Sequence, residues 1–122
     1  MQDGLADEQH AYAVYAAVIE QFGAVRPFTN IQKAEAQHIA AWEFLFDRYG
    51  IPTPAAAELT LPEFASLAGA CQAAAEAEIA NRDLYDQMLQ ALADYPDMTQ
   101  VVTQLRTASD NNHLPAFERC AN

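Results

Sequence analysis

The sequence predicts an all-α fold, most simply a four-helix bundle of two antiparallel helical hairpins with a long crossover at about residues 50–61. Three observations predict it. Alanine occurs 26 times against 4 glycines, a strongly helical balance. No stretch alternates apolar and polar residues as a half-buried strand would. Capping and breaking residues divide the chain into four long segments. With 122 residues, 52% of them hydrophobic, the chain can bury a core as a single domain over 1–122.

The first segment runs from about Asp3, a candidate N-cap, to Phe22, with Gly23 as its stop. The second opens on Thr29-Asn30-Ile31-Gln32, a capping-box pattern, and closes at Tyr49-Gly50. Pro52 and Pro54 make the linker from Ile51 to Thr60 extended. The third opens on Thr60-Leu61-Pro62-Glu63, a second capping-box pattern with proline in the first turn, and runs to about Ala93. After the turn Asp94-Tyr95-Pro96 the fourth begins at Asp97, with Gln100 three residues on, and reaches about Cys120.

Charge narrows the function. Lys and Arg number 6 against 17 Asp and Glu, a formal net charge of −11. Such a surface repels a phosphate backbone and anionic membranes, and attracts cations. Neither a nucleic-acid nor a membrane partner is expected, and no apolar run approaches the ~18 residues of a spanning helix. The opening Met1-Gln2-Asp3-Gly4 lacks the basic and apolar regions of a signal peptide. Cys71 and Cys120 lie too far apart for a CxxC redox pair.

The apolar seams are interrupted in a regular way. The first helix reads Leu5, Glu8, Tyr12, Tyr15, Ile19, Phe22, and the second Ile31, Glu35, His38, Trp42, Leu45, Tyr49. The third reads Phe64, Leu67, Cys71, Ala74, Glu78, Asn81, Tyr85, Met88, Leu92. A lone carboxylate in a bundle core costs several kcal/mol unless it is paired or neutralised. Several helices carrying one at a single level point to a shared cation, because basic side chains are few. Glu35 and His38 stand three apart and share a helix face; Asp110 and His113 repeat the spacing. The stripe Met98, Val102, Leu105 leads on to Ser109 rather than Asp110, and Pro115 is where a bend would shift that phase. Tyr12, Trp42 and Phe117 read as core packing, and His10 and Glu76 as surface residues.

The chain is also internally duplicated. A shift of 75 residues aligns Glu35 with Asp110, His38 with His113, Trp42 with Phe117 and Glu43 with Glu118. Glu8 precedes Tyr15 as Glu78 precedes Tyr85, with six residues between. At about 1.5 Å per residue, Glu8 and Glu35 meet only if the loop from Gly23 to Thr29 runs back beside the first helix, which Pro27 allows.

Two Glu-x6-Tyr helices alternating with two acid-x-x-His helices resemble the ferritin-like superfamily, as in rubrerythrins and bacterioferritins. The wording VRPFTNIQKAEAQH, EAEIANRDLYD and HLPAFERC is similar to a short ferritin-like family labelled a domain of unknown function. The resemblance spans nearly the whole chain and implies two iron ions, or manganese, with no haem and no nucleotide. It implies Glu8, Glu35, His38, Glu78, Asp110 and His113 as metal ligands, with Tyr15 and Tyr85 holding ligand carboxylates.

By the same analogy the expected chemistry is ferroxidase or peroxide-scavenging, with O2 or H2O2 as small-molecule substrate. No rubredoxin-like four-cysteine module is present, so electrons come from an external donor or from Fe(II) itself. A homodimer is expected rather than a cage. The alternatives are a non-enzymatic metal-binding or interaction bundle, and a metal-free bundle whose buried acids are protonated or paired.

Cys71 and Cys120 are expected to form a disulfide. A short turn joins the third and fourth helices as antiparallel neighbours, and both cysteines lie just over twenty residues from it. A bridge implies an oxidising compartment, periplasmic or exported, after removal of a signal; free thiols would imply the cytoplasm.

Overall fold

A computed structural model describes residues 2–54 and 61–122, and all of its regular structure is helical. The elements are α1 (Gln2–Phe22), α2 (Phe28–Arg48), α3 (Leu67–Ala91), α4 (Pro96–Ala108), a π turn (Ser109–His113) and α5 (Leu114–Ala121). The last three run on without a break, so four helical runs are described. None of the described helices is long and apolar enough to cross a membrane. The chain divides into two compact units, residues 1–63 and 64–122, which coincide with the two copies of the duplication.

In the first unit α1 stops where expected. Gly23 adopts φ +90°, and its N–H donates to the Ile19 carbonyl at 2.8 Å. Helix α2 starts earlier than the capping box predicts. Its N-cap is Pro27, no side chain caps it, and Thr29 lies inside the first turn. Asp3 likewise falls inside α1 rather than capping it. At the far end Gly50, at φ +64°, closes a Schellman motif: Ile51 N–H donates to the Phe46 carbonyl and Gly50 N–H to that of Asp47.

The early start of α2 settles the register of the hairpin. Tyr15 meets Phe28 edge-on at 5.7 Å, Glu8 meets His38, and Gly4 meets Trp42. Leu5, Tyr15, Val18, Phe28, Trp42, Leu45 and Phe46 are all buried. Tyr12 departs from the expected core at 40% exposed, because the buried stripe passes beside it, and Val18 rather than Ile19 is buried further along the helix.

In the second unit α3 begins at Leu67, not at the Thr60 box. Thr60 lies outside the described residues, as do 55–60 of the expected crossover, and residues 61–64 are not helical. The cap is Ser66, extended at φ −153°, whose hydroxyl accepts from Gly69 N–H at 3.0 Å. The turn to α4 is tied by Tyr95 N–H and Thr99 Oγ, which both donate to the Leu92 carbonyl at 2.9 Å. Cys71 and Cys120 form the expected disulfide, with Cα atoms 5.8 Å apart, joining the start of α3 to the end of α5.

Helix α5 opens with Pro115 near its N-terminus. Proline has no N–H for the carbonyl four residues back and crowds it, so the ladder changes register just before it. Leu114 N–H reaches back five residues to the Ser109 carbonyl. The phase change expected at Pro115 does not bring Asp110 inward: across this widened turn Ser109, where the Met98, Val102, Leu105 stripe leads, is the buried residue.

Candidate metal centre

Helices α1 and α2 bring two carboxylates and one imidazole together in the first unit. Glu8 and Glu35 are each 2% exposed and His38 is 8% exposed. His38 Nδ1 lies 3.2 Å from Glu8 Oε2 and 3.5 Å from Glu35 Oε2. The three residues present ligand atoms within 4.8 Å of one another. The local reasons are simple. The spacing of Glu35 and His38 puts both on the inward face of α2, while Glu8 occupies the same seam of α1 as Leu5 and Tyr15.

The electrostatics are those of a crowded acidic pocket. Burial raises the Glu8 carboxyl, helped by its hydrogen bond with Glu35 and opposed by His38, to a pKa of about 7. Burial pulls the His38 imidazole down, but hydrogen bonds with Glu35 and Glu8 outweigh it and lift the pKa to about 10. Near neutral pH the imidazolium therefore stands in for a cation.

The second unit repeats part of this arrangement. Glu78 and His113 are buried, with His113 Nδ1 3.4 Å from Glu78 Oε1. Asp110 is not with them. Its Oδ1 accepts from Arg82 Nη1 at 3.0 Å, and its Oδ2 lies 3.7 Å from Arg106 Nη1. The widened turn explains this: it lines up Ser109, four residues before His113, and takes Asp110 off that face. Ser109 is buried and its hydroxyl donates to Asn81 Oδ1 at 2.9 Å. The ligand role expected of Asp110 is thus not met by its position here.

The chain matches no protein-family model, no curated protein and no solved structure.

Glu8, Glu35 and His38 could hold a metal ion, offering two carboxylates and an imidazole and no thiolate. Tyr15 and Tyr85 are buried at 1% and 0% exposure, as groups packed deep in their own units. His10 and Glu76 are exposed surface residues, as expected, and Trp42 and Phe117 are core. Two arginines escaped the sequence reading. Arg106 stands four residues before Asp110, an ion-pair spacing visible in the sequence; Arg82 comes from another helix and left no local signal.

Proposed function

We propose that this protein binds transition-metal ions and belongs to the non-haem di-iron carboxylate class, with iron, or manganese, as its cofactor. The observation that supports it is the buried Glu8–Glu35–His38 cluster, whose acids outnumber the charge available to neutralise them. An ion there would take oxygen from both glutamates and nitrogen from His38, displacing the protons that Glu8 and His38 hold. The Glu78–His113 pair supplies a carboxylate and an imidazole for a second ion. Iron bound in this way supplies one-electron chemistry toward O2 or H2O2, which supports ferroxidase or peroxide-scavenging activity by analogy. The protein's own residues bind and orient the ions, while Tyr15 and Tyr85 hold ligand carboxylates. A ferritin-like four-helix fold belongs to the same reading. So do an external electron donor and a homodimer. The disulfide supports an oxidising compartment.

A second reading is a non-enzymatic protein in which one ion ties a hairpin together. It is favoured by Asp110, which pairs with Arg82 instead of standing with Glu78 and His113. Anaerobic loading with Fe(II), followed by metal analysis and addition of oxygen or peroxide, separates the two. About two irons per chain and a new near-ultraviolet absorption are expected. One iron without an oxygen response would establish the tying role, and less than one would sink both.

A further inference from the structure

The face of α2 turned away from Glu35 and His38 is exposed along Lys33, Ala36, Ala40, Phe44 and Asp47. Their spacing of three, four, four and three residues puts all five on one outward stripe. Phe44, at 62% exposed, is the most exposed of the large hydrophobic side chains described. A single apolar side chain in water is ordinary. Its place in this stripe is not, because the stripe is complementary to itself. Ala36 and Phe44 lie four residues to either side of Ala40, and Lys33 and Asp47 lie seven to either side.

Resting on the homodimer of the function proposed above, we propose that two copies of this chain pair through the outward faces of their α2 helices. The helices run antiparallel about a twofold axis at Ala40, with Phe44 against the partner's Ala36 and Lys33 paired with the partner's Asp47.

Shape and charge both support a second copy as the occupant. Each residue rises about 1.5 Å along a helix, so equal and opposite offsets from Ala40 come level in an antiparallel pair. The contacts then occur twice, as a twofold interface requires. Alanine at the axis lets the helices approach to about 8 Å, the close end of helix packing, and leaves room beside it for the two phenylalanine rings. The chain as a whole stands at −11, and most of its faces would repel a copy of themselves. On the exposed side of α2, Lys33 and Arg48 balance Glu43 and Asp47, so two copies meet there without that cost. Glu35 and His38 are buried on the opposite side of the helix, and pairing leaves them undisturbed. One helix pair covers less surface than a standard interface, so the dimer should be a weak one, with a dissociation constant of about 10 µM.

The test is sedimentation equilibrium of the full chain at low salt, over protein concentrations from about 1 to 300 µM. The wild type should pass from one chain mass to two across that range. Phe44→Ser should weaken the dimer at least about tenfold and leave the helical circular dichroism unchanged, because the side chain is exposed. Lys33→Asp should weaken it about tenfold by setting like charges level with each other. Adding Asp47→Lys to Lys33→Asp exchanges the signs across the interface and should restore association to within about threefold of wild type. A dimer that either Phe44→Ser or Lys33→Asp leaves unchanged overturns this interface while the homodimer stands. A loss on Lys33→Asp that Asp47→Lys does not restore overturns the antiparallel pairing about Ala40. A wild type that stays monomeric throughout overturns the homodimer itself, and the interface with it.

Discussion

His38 stands between Glu8 and Glu35, and that placement sets its charge as well as its proposed role. Both His38 and Glu8 hold protons more tightly in the fold than in the unfolded chain. The Glu8 contribution to stability is fully present below its ordinary 4.5 and is lost as pH rises through about 7. That of His38 is fully present below 6.5 and is lost as pH rises through about 10. The metal-free protein should therefore unfold at lower urea concentration at pH 9 than at pH 6. Metal uptake runs the other way, because an ion must displace those protons, so its affinity should climb over the same window. His38→Ala should lower the affinity of the first ion by at least about tenfold, whereas His10→Ala, at an exposed site, should leave it unchanged. Equal losses in chelator competition would remove His38 from the site. Gly4 makes a different residue-scale case. A Cβ there would overlap the indole of buried Trp42. Alanine gains about 1 kcal/mol of helix propensity over glycine, but overpacking a core costs about 1–3 kcal/mol. Gly4→Ala should thus destabilise, and a raised melting temperature would refute the close approach.

At the scale of elements, the disulfide carries the clearest expectation. It joins cysteines 49 residues apart, the first near the start of α3 and the second near the end of α5. Closing a loop of that size stabilises by roughly 2–4 kcal/mol, mostly by restricting the unfolded chain. Cys71→Ser with Cys120→Ser should lower stability by about that amount, and denaturing alkylation of the unreduced wild type should add no mass. Two adducts would show free thiols. The bridge was legible from helix lengths and helix faces: equal distances from one short turn put both cysteines at one level, with Cys71 on the seam of its helix and Cys120 one heptad after His113. Glu8, Glu35, His38, Glu78 and His113 were legible for a similar reason: apolar periodicity fixes which side chains face inward, whatever their polarity. Helix starts were less so. Thr29 lies within α2 and Ser66 caps α3, because a capping box is only a local option that competes with the loop's own geometry. Asp110 escaped because an i, i+3 rule assumes an α-helical turn. The five-residue turn before Pro115 breaks that assumption over one stretch of helix, although Met98, Val102 and Leu105 already led to Ser109. Gly4 left no pattern at all, since its constraint comes from a tryptophan on another helix.

For the molecule as a whole, the excess of negative charge and the buried clusters respond to cations by different routes, and heat separates them. A net charge of −11 repels itself, so any divalent salt relieves the folded state to some degree through screening. Screening does not distinguish Mg(II) from Mn(II). Binding at Glu8, Glu35 and His38 does, because an imidazole ligand favours the transition metal and Mg(II) gives up its waters reluctantly. An ion that binds only the folded chain adds about 2.7 kcal/mol at one hundred times its dissociation constant. For a chain of this size that is a rise in melting temperature on the order of 10 °C. Mn(II), or Fe(II) without oxygen, should therefore raise the melting temperature well beyond an equal concentration of Mg(II). His38→Ala should cut that difference by about half or more while leaving the Mg(II) response intact, because the substitution removes a ligand and keeps the acidic surface. The urea midpoint at pH 7.5 should move in parallel. If Mg(II) and Mn(II) stabilise the wild type equally, the cations act on the surface charge, and the buried acids are held by protons and His38 alone.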